Sequence, residues 1–334
     1  MKLMNRMCIV LLAVLFTSCS QQTDINVLKT ESASNRTAFG LDKLSGELAN
    51  HQYQAISGSV YDYEPDELTI VAGEMGDTAF TSFLNRNHFS IDEAIGKEGF
   101  QIMRKGSTFL VAGSDANGAL YGCLELKDRL ESGSELPASI DITDKPEMVL
   151  RGTCIGLQKT EYLPGRHVYE YPYTPENFPW FYDKELWIKY LDMMVENRYN
   201  SLYLWNGHPF ASLVKLEDYP YAVEVDEETF RKNEEIFAFL TEEAEKRGIW
   251  VIQMFYNIIV SKPFAEHHGI VTQDRSRPIV PVIADYTRKS IAAFIEKYPN
   301  VGLMVCLREA MRREDDVDWF VNTVIPGVRD GLSE

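Results

Sequence analysis

The chain has 334 residues, 45% hydrophobic and 25% charged, enough for two folded domains with ordinary cores. Its formal net charge is −17 at neutral pH, which disfavours nucleic acid as a partner, because phosphate backbones are drawn to an excess of Lys and Arg. No internal stretch is long and apolar enough to read as a membrane-spanning helix.

At the N-terminus, Lys2 and Arg6 precede a short apolar run at 7–16, followed by Thr17-Ser18-Cys19-Ser20. Positive, apolar and small-residue regions in that order predict a secretory signal. Phe16-Thr17-Ser18-Cys19 resembles a bacterial lipobox. That implies signal cleavage after residue 18, lipid on Cys19 and anchoring to the outer membrane. Residues 20–36 are polar and read as a tether.

A small α/β domain is expected over 37–145. A strand at 68–72 precedes a helix at 78–85. Strands at 100–104 and 108–112 form a hairpin about Lys105-Gly106-Ser107, and a helix follows at 116–130. Gly113-Ser114-Asp115-Ala116-Asn117-Gly118 invites a phosphate-loop reading but lacks the Gly-Lys-Ser/Thr ending. A tight turn that caps the helix is the better reading.

After Asp144-Lys145-Pro146 the rhythm changes. Apolar strands are expected at 149–155, 201–205, 250–255 and 302–307, their starts about fifty residues apart. Helices at 184–197, 227–247, 286–297 and 317–329 follow them, the first three behind Asp183, Asp226 and Asp285 as N-caps. Strand, long loop and helix repeated four times predict parallel β/α units. The loops after the strands are long and aromatic and those before them are short, which favours a barrel with one functional face over a doubly wound sheet. The fold class expected is therefore α/β: a small α/β domain, then the first four β/α units of a TIM-type barrel over 146–334.

Candidate chemistry gathers at the strand ends. Glu309 follows the fourth strand, where a carboxyl projects into a barrel mouth and could protonate a leaving sugar oxygen. No second carboxylate with convincing placement accompanies it. Trp205, Asn206 and His208 end the second strand, Gln253 and Asn257 the third, and Lys159 follows the first. Indole, amide, imidazole and ammonium groups suit sugar C–H faces and hydroxyls. Arg151, Lys159, Arg166, Lys262, Arg308 and Arg312 add cations that would favour a substrate carboxylate. His267 and His268 are adjacent, which suits a single metal poorly, and no metal or cofactor is expected. Cys123, Cys154 and Cys306 read as buried, reduced thiols.

The run 112–122, Leu150-Arg151-Gly152, Asn200-Ser201-Leu202-Tyr203-Leu204-Trp205 and the run 300–310 resemble the α-glucuronidases of glycoside hydrolase family 67 and relatives acting on uronic acids. The first two also look like the N-terminal domain and barrel entry of the β-N-acetylhexosaminidases. The resemblance implies a glycosidase with Glu309 as acid and Arg151 holding sugar hydroxyls. The expected partner is a carbohydrate that bears uronic acid. The alternative is a non-catalytic carbohydrate-binding lipoprotein.

Overall fold

A computed structural model describes residues 22–92, 95–164, 171–256, 259–306 and 311–332. The first domain contains β1 (Thr23–Lys29), α1 (Asn35–Asn50), β2 (Tyr53–Ser59), β3 (Thr69–Glu74), α2 (Thr78–Arg86), β4 (Phe100–Lys105), β5 (Thr108–Gly113), α3 (Ala116–Gly133) and β6 (Asp141–Asp144). Its six-stranded sheet has the order β2-β1-β3-β5-β4-β6. The first four strands in that order are parallel and the β5–β4 and β4–β6 pairs antiparallel.

The expected tether is corrected here. Thr23-Asp24-Ile25-Asn26-Val27-Leu28-Lys29 is an inner strand, because Ile25, Val27 and Leu28 bury their side chains on both faces of the sheet. Ser34 then caps α1. Helices α1 and α3 cover one face of the sheet and α2 the other, where Phe80 and Phe83 pack on Val71 and Leu110.

The expected capping turn at 113–118 is what forms. Asp115 Oδ1 accepts from the Gly118 N–H at 2.9 Å, and Oδ2 from the Glu98 N–H at 2.9 Å. Gly113 is forced: a Cβ there would stand 2.0 Å from the Ala119 nitrogen.

The second domain contains β7 (Gly152–Gly156), α4 (Lys184–Glu196), β8 (Ser201–Trp205), α5 (Phe210–Leu213), α6 (Glu227–Lys246), β9 (Trp250–Tyr256), α7 (Lys262–His268), α8 (Pro281–Lys297) and β10 (Val301–Cys306). The chain then runs through α9 (Asp316–Trp319), a π-helical turn and α10 (Ile325–Leu332). The four strands are parallel and lie in sequential order. Leu202, Leu204, Val251 and Phe255 are buried with Leu191, Phe237 and Phe294 of α4, α6 and α8. The opposite face carries no helix among the described residues. Sequential parallel strands with helices on one face are the winding of a barrel, not of a doubly wound sheet.

Asp183 and Asp226 cap α4 and α6 as expected. Asp285 does not cap α8. That helix begins at Pro281, whose missing N–H and fixed φ suit a first helical position, so Asp285 lies one turn inside. No described helix is long and apolar enough to cross a membrane.

The domains meet through buried and half-buried ion pairs. Lys43 of α1 and Arg247 both reach Asp192 of α4, at 2.6 and 2.7 Å. The Phe39 ring lies beneath both cations. Arg198 pairs with Asp128 of α3 at 2.7 Å.

Candidate functional site

Strand parity decides which side chains can meet a ligand, because successive residues point to opposite faces. On β9, Val251, Gln253 and Phe255 are buried against the helices, whereas Trp250, Met254 and Tyr256 are partly exposed on the open face. Parallel pairing aligns Cys154, Tyr203, Ile252 and Gly302 in one row across that face. Gly156, Trp205, Met254 and Met304 form the next row, nearer the carboxyl ends. Tyr256 and Cys306 lie beyond them. The Cys154 Sγ to Met254 Sδ distance of 3.9 Å confirms the shared face.

Trp205 therefore occupies the expected place, at the tip of β8 on the open face. Its ring lies 6.2 Å from that of Tyr256, tilted by 40°. Its indole nitrogen is enclosed and has no hydrogen-bond partner among the described residues. Gly156, its neighbour in register, leaves the adjoining space open: an added Cβ would meet only Gln158, at 3.9 Å.

Lys159 stands in the loop after β7. Its ammonium lies 6.0 Å from the ring centroids of both Tyr171 and Phe178. Neither ring is among the sugar-binding residues expected from the sequence. The available signal is the aromatic run Tyr171-Pro172-Tyr173 that closes the same loop.

Four expected sugar contacts are occupied otherwise. Gln253 is fully buried on the helix side, donating to the Leu204 carbonyl at 2.8 Å and accepting from the Tyr173 hydroxyl at 3.3 Å. Asn206 is 1% exposed and braces loops, its amide donating to the carbonyls of Leu157 and Tyr171 at 3.1 and 2.8 Å. The His208 ring is buried 2.8 Å from the hydroxyl of Tyr286 in α8. Burial pushes that phenol upward, keeping it a neutral partner.

The largest departure is Arg151. It precedes β7 and so lies at the amino ends of the strands, opposite the expected mouth. Its guanidinium donates to Glu98 at 2.9 Å, the Tyr121 hydroxyl at 3.1 Å, and the carbonyls of Arg198 and Met148 at 2.8 and 2.6 Å. Glu98 also accepts from Asn117 at 2.6 Å and Asn200 at 3.2 Å. Burial, then the neighbouring Glu98 charge, push the Tyr121 phenol up to about 12. Arg151 thus fastens the domains together, with four of its five N–H donors engaged within the protein. Glu98 gave no sequence signal, since it lies in a loop with φ +57°.

Glu309, Asn257 and Cys19 lie outside the described residues, as do Arg166 and Arg308. Lys262 pairs with Glu266 at 3.8 Å and Arg312 with Asp315 at 2.7 Å. His267 stacks on Tyr221 at 3.8 Å, and His268 Nε2 lies 2.9 Å from the Tyr221 hydroxyl. No group of three or more metal-binding side chains occurs among the described residues. Cys123 is buried as expected, but Cys154 is exposed and Cys306 half-buried, because both occupy open-face positions.

A cavity of about 390 Å³ lies between the domains, at the amino ends of the strands, and includes Arg36, Glu98, Asn117, Asn200 and Trp250. Its principal polar groups bond one another, so it reads as an interdomain crevice. The carboxyl ends remain the candidate site, since barrel catalysis draws on the loops that follow the strands.

No family model matches the chain, and no curated protein matches it. Among solved structures it is similar to a GH138 enzyme targeting pectin rhamnogalacturonan II, with 59% identity and a TM-score of 0.83 over 93% of this chain. The chain spans 42% of the length of that protein. A family GH115 4-O-methyl-α-glucuronidase with specificity for decorated arabinogalactans is 15% identical, with a TM-score of 0.52 over 93% of this chain and 40% of that one. A Streptomyces plicatus β-hexosaminidase is 13% identical, with a TM-score of 0.56 over 93% of this chain and 60% of that one. The last two share the fold. All three are glycoside hydrolases, and none is described as a family 67 enzyme.

Proposed function

We propose that this chain serves in hydrolysis of glycosidic bonds in a uronic-acid-bearing polysaccharide of the pectic kind. The observation that carries the reading is the 59% identity, over 93% of the chain, with an enzyme that targets pectin rhamnogalacturonan II. The site chemistry supports it. Trp205 and Tyr256 offer aromatic faces at the strand tips, and Lys159 offers a cation on the same rim.

Glu309 is the proposed general acid, three residues beyond the end of β10. It would protonate the leaving oxygen while a second carboxylate acts as nucleophile or activates water. An α-glucuronidase-like bond specificity is the finer form suggested by the sequence resemblance. Cys19 would carry the lipid that places the protein at the outer membrane. None of the described open-face residues of β7–β10 is a carboxylate, which favours, as a second reading, carbohydrate binding without cleavage.

The test is incubation of the purified chain with oligosaccharides from rhamnogalacturonan II, following release of reducing ends. Release by wild type and its loss in Glu309→Gln support the hydrolase. Equal release by both removes Glu309 from the mechanism. Saturable binding without release supports the second reading.

A further inference from the structure

We propose that Lys159 determines specificity at this site by pairing with the carboxylate of a uronic acid residue. The inference rests on the hydrolase reading and assigns the acidic group of its substrate to one side chain.

Position comes first. The ladder continues one residue past β7, where the Leu157 N–H donates to the Trp205 carbonyl at 2.7 Å. Lys159 follows two residues later, so the loop leaves the sheet beside the tip of β8. The loop is clamped at both ends by one buried side chain. Asn206 donates to the carbonyl of Leu157 on the outgoing strand and to that of Tyr171 on the return. Its Oδ1 accepts from the His208 N–H at 2.9 Å, which fixes the amide's orientation. Asparagine supplies both donors and the acceptor, and aspartate would supply neither donor.

Charge comes second. Lys184, Lys215, Lys289 and Lys297 all pair with carboxylates. Lys159 has no such partner among the described residues. Its ammonium instead faces the rings of Tyr171 and Phe178, both buried. Aromatic faces attract a cation without neutralising it, and they restrain a stem that would otherwise be free. Lys159 itself is exposed. An exposed ammonium with no carboxylate partner among the described residues, on the loop that leaves the sheet next to the tip of β8, is complementary to a sugar that carries a carboxylate. A neutral hexose offers that ammonium only hydroxyls. Charge-assisted hydrogen bonds are roughly twice as strong as neutral ones.

The test compares acidic oligosaccharides from rhamnogalacturonan II with the same material after carboxyl groups are reduced to alcohols. Wild type, Lys159→Met and Lys159→Arg are assayed on both. Lys159→Met is expected to raise KM on the acidic substrate by about tenfold to a hundredfold, raise it on the reduced substrate by a much smaller factor, and keep kcat. Lys159→Arg is expected to recover most of the difference. Added salt is expected to raise KM for wild type more than for Lys159→Met. A Lys159→Met effect of equal size on both substrates overturns the assignment.

If wild type cleaves neither substrate, the hydrolase reading fails separately. Calorimetric binding of the acidic oligosaccharides then decides the role of Lys159: weaker binding by Lys159→Met upholds it, and equal binding overturns it.

Discussion

Replacing Arg151 with methionine removes four hydrogen bonds and one charge from a site that holds both domains. The Glu98 carboxylate loses its ion-pair partner at 2.9 Å, in surroundings where the two side chains are only 9% and 11% exposed. Leaving one member of a buried pair uncompensated destabilises by about 3–5 kcal/mol. Two amides remain on Glu98, from Asn117 and Asn200, which points to the lower end, about 3 kcal/mol. The carbonyl of Met148, on an exposed residue, can turn to water and adds little.

Urea unfolding followed by far-ultraviolet circular dichroism and by tryptophan fluorescence would measure the loss. The fastening lies between domains, so the two signals are expected to separate in Arg151→Met. The double replacement Glu98→Gln with Arg151→Met removes the stranded charge and should recover most of the loss. Catalysis, assayed well below the unfolding midpoint, should keep its KM. The family resemblance implies the reverse pattern, with Arg151 holding sugar hydroxyls. Stability within about 1 kcal/mol of wild type, together with a raised KM, would refute the interdomain role and restore the sugar contact.

Asp77 caps α2 through the Ala79 N–H and accepts from the hydroxyls of Thr30 and Ser32. Burial pushes its carboxyl upward, but these hydrogen bonds outweigh it and leave the group below its ordinary 3.8. A depressed folded value means its stabilisation is complete above the unfolded value and disappears as pH falls through 3.8 and below. Asp77→Asn is therefore expected to flatten thermal midpoint against pH between about 5 and 3, and unchanged curvature would refute the assignment. Gly113→Ala drives a Cβ against the backbone at Ala119 and should destabilise by about 1–3 kcal/mol or more in urea melts; a neutral result would mean the turn relaxes freely. Burial raises the Cys123 thiol to about 12 and raises the exposed Cys154 thiol as well. Mass spectrometry after native alkylation at pH 8 should find Cys154 modified and Cys123 modified only in denaturant; prompt labelling of Cys123 would contradict its burial.

The β/α rhythm was legible because hydrophobic runs and short loops agree at each unit, and Asp caps at two of them. Asp183 and Asp226 are caps, and all four barrel strands match the expected runs to within one residue at each end, except that β7 starts three residues later than 149. What misled was polarity near strand tips. Gln253 could have been excluded by parity alone, since it alternates with Ile252 and Met254 and shares a face with Val251 and Phe255. Asn206 could not, because nothing local reveals that it reaches carbonyls 49 and 35 positions away. Arg151 needed Glu98, which is 53 positions distant and in a loop.

These three placements share one cause. Where a chain leaves a sheet it carries backbone carbonyls out of the ladder, and buried carbonyls require donors. Amide and guanidinium groups placed there meet that need first. At the ends of parallel strands, the residues free for a ligand are therefore those whose side chains lie on the open face, such as Trp205 and Tyr256, or stand on the loop itself, such as Lys159. Under the proposed function, Asn206 would act on recognition through the loop ends it holds, and Gln253 through the strand it fixes.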